Sequence, residues 1–121
     1  MALQYRIEDG VVVLSATAGG FAMLRHVLRA ATADPAARPN MPLLIDVRRE
    51  PAFHYEDARW RLLIVSEMRE TFGSRWGILT GPGSAPRGAR LMFAAFSELE
   101  GLEVGLFADK GDALAWLRQQ P

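Results

Sequence analysis

The sequence predicts an α/β fold with a mixed five-stranded sheet, an N-terminal antiparallel hairpin followed by parallel strands, and about four helices. Three observations lead there. Apolar and polar residues alternate strictly from Leu3 to Ile7 and then meet Asp9-Gly10, a dipeptide that tolerates the positive φ angles of a tight hairpin. Further strand-like runs follow as VVVLSA, MPLLIDV, WGILT and LEVGLF. Segments with apolar residues at helical spacing separate these runs, and a strand-helix alternation demands parallel strands joined by right-handed crossovers.

Each element has its own grounds. Leu3, Tyr5 and Ile7 face a core while Gln4 and Arg6 face water, as suits an edge strand. Val11 to Leu14 are apolar without a break, which predicts a second strand covered on both faces and lying inside the sheet. Phe21, Leu24, Val27, Leu28 and Ala31 form the stripe of a first helix, with Arg25 and Arg29 elsewhere on the cylinder. Pro35, Pro39 and Pro42 make TADPAARPNMP a loop before the third strand, MPLLIDV. The longest helix is expected from about Tyr55 to Phe72 on the stripe Ala58, Leu62, Val65, Met68 and Phe72, widened by Trp60 and Ile64. WGILT is the fourth strand, and TGPGSAPRG leads into a helix whose expected inner face is Leu91, Ala94, Ala95 and Leu99. LEVGLF is the fifth strand. The last helix, about Lys110 to Gln119, turns Leu114 and Leu117 inward with Trp116 beside them.

Size and composition narrow the function. With 121 residues, 50% of them hydrophobic, residues 1–121 are expected to form one domain with its own core. Fourteen basic residues balance fourteen acidic ones, which disfavours nucleic acid and anionic membranes as partners. There is no cysteine, hence no disulfide, thiolate nucleophile or sulfur-ligated metal. Arg6, Glu8 and Asp9 interrupt the N-terminal stretch, so no signal peptide is expected, and no window approaches the roughly 20 apolar residues of a membrane span. A cytoplasmic location is the expectation.

Particular stretches carry a family likeness. EDGVVVLSATA at the opening hairpin, MPLLIDVRR at the central strand ending in Asp46, and GLEVGLFADKGDALAWL at the close together resemble the STAS superfamily, best known for bacterial anti-sigma-factor antagonists. The closer likeness is to its single-domain branch, similar to sporulation-regulator and SEC14-like domains. It implies a regulatory module that binds a protein partner or itself, without catalysis and without a cofactor; the SEC14-like side implies a small ligand or lipid instead. In the antagonists a D-S-S-G motif at a helix start carries a serine that a partner kinase phosphorylates. Counting from Asp46 places His54, Tyr55, Glu56 and Asp57 at that motif, and no serine or threonine occurs from Ile45 to Leu63. The resemblance therefore implies that the phosphoacceptor is missing, with Glu56 near its place as a permanent carboxylate. Acids in the first turn are also what the positive end of a helix favours.

Four constellations invite chemistry. Asp46, Thr80 and Lys110 close the third, fourth and fifth strands in the order of a phospho-accepting receiver, but VVVL ends in Ser15-Ala16-Thr17 where a receiver needs an acidic pair for magnesium. Asp46, His54, Glu56 and Asp57 have metal-binding side chains, yet the chain has only two histidines and His26 sits among arginines, so no metal site is assigned. Gly81, Gly83, Ser84 and Arg87 form a candidate anion loop, with Arg90 adding charge; the loop has no Walker lysine, and Ser84 as N-cap with Pro86 in the first turn would also account for it. Finally, Asp46, Arg48, His54, Tyr55, Glu56 and Trp60 are the candidate surface for a partner, a second copy or a small ligand, because Trp60 and Ile64 extend the apolar stripe beyond one sheet face.

Overall fold

The computed structural model describes residues 3–17, 24–49, 69 and 72–119. Strands β1 (Leu3–Glu8) and β2 (Val11–Thr17), helix α1 (Leu24–Thr32), strands β3 (Met41–Arg49) and β4 (Phe72–Leu79), helix α2 (Arg87–Ser97), strand β5 (Glu103–Phe107) and helix α3 (Lys110–Leu117) follow in chain order. The sheet order is β1-β2-β3-β4-β5; β1 is antiparallel to β2 and the remaining pairs are parallel. This is the predicted mixed sheet. Glu8 pairs with Val11 across a two-residue turn in which Asp9 and Gly10 have φ of 51° and 80°, the geometry whose twist matches the flanking strands.

Strand order advances in one direction, so crossovers of one hand put α1 and α2 over the same sheet face. That face carries the larger core, in which Val12, Leu14, Leu43, Ile45, Trp76 and Ile78 meet Leu28 of α1 and Met92 and Phe96 of α2. Trp76 is fully buried, donates its Nε1–H to Gly73 O at 2.9 Å, and meets Phe96 edge to face at 5.6 Å. α3 follows the last strand, is bound by no crossover, and covers the opposite face, where Ala113 and Leu117 pack on Val11, Val13, Leu44 and Leu79. Burial of Val11 through Leu14 on both faces confirms β2 as an interior strand, and β1 is an edge.

Several boundaries differ from expectation. Phe72 opens β4, paired with Met41, and does not end a helix; Gly73 behind it is a poor helix residue, and the strand begins four residues before WGILT. The inner face of α2 is Gly88, Ala89, Met92 and Phe96, about 100° around the cylinder from the predicted stripe. Two small residues let the helix start close to the sheet, and the Phe96 ring claims the space beside Trp76 that alanines could not fill. Leu99 lies past the helix but still packs on the core. α3 stops at Leu117. Three helices stand among the described residues; the helix expected from Tyr55 lies outside them.

Candidate functional site

Ligands of open α/β sheets gather outside the carboxyl ends of the parallel strands, and there this chain concentrates its buried charge. Asp46 is the one buried charged residue among those described. It sits on the α3 face of β3, and Arg48, two residues on, emerges on the same face. Asp46 Oδ1 accepts from the Arg48 backbone N–H at 3.1 Å and from Nε at 3.0 Å, and Oδ2 accepts from Nη2 at 2.8 Å. The fork of the guanidinium thus matches both carboxylate oxygens. Burial pushes the Asp46 carboxyl up, but the Arg48 hydrogen bonds and the charges of Arg48 and Lys110 outweigh it and hold the group below the ordinary carboxylate range. The same hydrogen bonds raise the Arg48 guanidinium, with Asp109 adding attraction.

The flanking groups are engaged as well. Thr80 closes β4 on β5: its backbone N–H donates to Phe107 O at 2.9 Å and its hydroxyl to the same oxygen at 3.2 Å. Lys110 Nζ lies 2.9 Å from Glu8 Oε2 and donates to Oε1 at 3.3 Å; Oε2 makes only ionic contacts, the second being Arg6 Nη2 at 3.5 Å. The Asp46, Thr80 and Lys110 order seen in the sequence therefore does not converge on one open acidic pocket; each side chain has a partner of its own. Among the described residues no group of three His, Cys, Asp or Glu side chains is placed to hold a metal, and no helix is long and apolar enough to cross a membrane.

The glycine loop adjoins the ion pair. Gly81 has φ of 85°, and a Cβ there would lie 3.4 Å from Arg48 Cγ, so the arginine stem runs over the loop. Gly83 also has positive φ, at 89°. Ser84 does not cap α2: Pro86 occupies that position, extended at φ −59° and ψ 151°, and its ring has no acceptor for a cap hydrogen bond. The first turn of α2 carries no acid, and Arg87 and Arg90 are exposed there. His54, Tyr55, Glu56 and Trp60 lie outside the described residues, so of the candidate partner surface only Asp46 and Arg48 are placed, while all four residues of the candidate anion loop are.

Two participants went unnoticed in the sequence. Asp109 caps α3, accepting from Asp112 N–H at 3.0 Å, and faces Arg48; an aspartate before a helical run is a recognisable cap signal. Glu8 is tied to Lys110, 102 positions away, and no local pattern announces such a pair.

No protein-family model and no curated protein matches the sequence. Solved structures do share its shape. An anti-sigma factor antagonist from Mycobacterium paratuberculosis superposes with a TM-score of 0.65 at 20% identity, covering 98% of this chain and 94% of its own. An uncharacterised protein of the DUF3478 family with a SpoIIAA-like fold, from Shewanella loihica, superposes with the same TM-score of 0.65 and 20% identity over 96% of this chain and 92% of its own. This chain shares the SpoIIAA-like fold of these two structures.

Proposed function

We propose that the protein is a non-enzymatic regulatory module, cytoplasmic, that docks a partner protein through the carboxyl end of its parallel strands. One observation carries this: the carboxylate best placed for chemistry, Asp46, has both oxygens taken by Arg48. A carboxylate so paired, with its pKa lowered, is a poor base, and among the described residues no group of three acids is placed to hold magnesium. What the end of the sheet offers instead, on the side of β3 and α2 away from Asp109 and Asp112, is positive charge. Arg48 keeps 43% of its side chain exposed, and Arg49, Arg87 and Arg90 stand exposed at the same end. The partner surface is therefore acidic. The absence of serine and threonine from Ile45 to Leu63 supports a module that has no phosphorylation switch in that segment and docks constitutively.

The test is capture followed by reconstitution. A tagged chain is used to isolate its partner from the native cell, the partner is purified, and its affinity is measured for wild type and for the Arg87→Glu/Arg90→Glu variant. The variant should bind at least about tenfold more weakly, with the difference shrinking as salt rises. Equal affinity would place docking elsewhere. Light scattering on the same two proteins reports whether the partner is a second copy.

A further inference from the structure

The two edges of the sheet differ. β1 carries Arg6 and Glu8, and charge is one of the ways in which an edge strand avoids pairing with another chain. β5 has Glu103 at its start and then Val104, Gly105, Leu106 and Phe107, with no further charge, no proline and an unbroken register against β4. Leu106 is the exposed large apolar residue among those described, at 36% of its surface.

The backbone says which groups are free. Phe107 O accepts from Thr80 N–H at 2.9 Å, so Phe107 turns its polar groups toward β4, and by strand alternation Glu103 and Gly105 do the same. The N–H and C=O of Val104 and Leu106 therefore point out of the sheet, and no described residue bonds them. Val104 and Leu106 also share a face, the one on which Val104 packs against the larger core.

This edge is complementary to itself. If two β5 strands run antiparallel with Gly105 opposite its own copy, Val104 of each lies opposite Leu106 of the other, and each such pair exchanges both backbone hydrogen bonds. Moving the two-fold axis to Val104 or to Leu106 would leave part of these groups facing residues outside the strand. In the Gly105 register the apolar side chains of Val104 and Leu106 meet across the strands, and glycine stands on the axis at a site where Cα atoms approach to about 4.5 Å. Charge agrees with this register. Arg69 Nη2 lies 2.9 Å from where a Cβ of Gly101 would stand, and the exposed Asp109 of the second copy falls opposite Gly101.

We propose that β5 is a self-association site, at which two copies pair antiparallel about a two-fold axis through Gly105 and join their sheets into one. The contact is isologous. A five-residue ladder buries less than the roughly 800 Å² per partner of a standard interface, so the dimer is weak and depends on concentration. This surface is separate from the arginines at the carboxyl end of the sheet and independent of their role.

Sedimentation and light scattering on the purified chain, from about 1 μM to about 1 mM, should show the mass rising from one chain toward two. Leu106→Lys puts a charge on the edge and should weaken the dimer at least about tenfold, with the urea midpoint of the dilute protein unchanged. Arg69→Glu should weaken it as well, less so at high salt. The chain has no cysteine, so Leu106→Cys carries a single thiol. A bismaleimide spanning about 8 Å, the diagonal separation of Leu106 and its copy, should link two chains of this variant but not of Arg29→Cys, on the exposed side of α1. A one-chain mass at every concentration, a dimer as tight in Leu106→Lys as in the wild type, or equal crosslinking of the two cysteine variants would each overturn the proposal. A chain that stays single while Leu106→Lys loses a captured partner would give the edge to a foreign strand and overturn self-pairing too.

Discussion

Lys110, the first residue of α3, holds Glu8, the last residue of β1, with Nζ 2.9 Å from Oε2. Arg118 just past the other end of the helix reaches Asp9 Oδ2 at 3.2 Å. Helix α3 packs on β3, β4 and β5 and on Val11 and Val13 of β2, and the two ion pairs tie it further to the edge hairpin at Glu8 and Asp9.

This clasp predicts an acid-sensitive fold. The Lys110 hydrogen bond and charge lower the Glu8 pKa against the opposing effect of burial, and Asp46 is lowered in the same direction by Arg48. A group whose folded pKa is depressed contributes stability above its unfolded pKa and loses it as pH falls through the folded value. Urea midpoints should therefore stay flat near neutrality and drop below about pH 4. In Glu8→Gln the drop should be shallower and the midpoint at neutral pH lower; an unchanged acid limb would mean that the pair contributes nothing.

Breaking the Asp46–Arg48 fork should be costly from either side. Asp46→Asn loses the charge-assisted bonds and should destabilise by about 1–3 kcal/mol in urea unfolding. Adding Arg48→Ala should cost less in the Asn background than alone, since coupled partners are not additive. Additive costs would show that the two residues act separately.

Gly105 should tolerate no side chain. A Cβ there would fall 2.5 Å and 2.7 Å from two atoms of the Phe107 ring, which is held in turn by a tilted contact with Trp116 at 5.4 Å. Gly105→Ala should lower stability by about 1–3 kcal/mol, as overpacking does. In a Phe107→Leu background the penalty should shrink, and chemical denaturation of the four proteins measures it.

The larger core should depend on Phe96 more than on any residue of the predicted α2 stripe. Phe96→Ala opens a cavity beside Trp76 and should cost about 3–5 kcal/mol. Ala94→Ser, on the exposed face, should change stability by less than about 0.5 kcal/mol. The reverse order would put the helix in the phase that the sequence suggested.

That contrast shows what the sequence can and cannot disclose. The hairpin was legible because Asp9-Gly10 has few conformations open to it, and β2 because four successive apolar residues fit only an interior strand. The phase of α2 was not, since Leu91, Ala94 and Ala95 have helical spacing as good as that of Ala89, Met92 and Phe96, and only the ring of Trp76 across the interface decides between them. Phe72 was misplaced because one residue at the end of a stripe satisfies a helical period and a strand equally well. Within the candidate site, Asp46 at a strand end was visible, as was the glycine loop beside it. The Arg48 fork was open to inference from i, i+2 spacing on a strand, whereas the Glu8–Lys110 clasp arises from residues brought together over a long stretch of chain.

The central claim is that Asp46 is held in an unreactive ion pair at the base of a docking surface. Intact-mass spectrometry after incubation with acetyl phosphate and magnesium tests it most directly. The wild-type protein should show no phosphoryl adduct, and a hydroxylamine-sensitive adduct mapped to Asp46 would contradict the account.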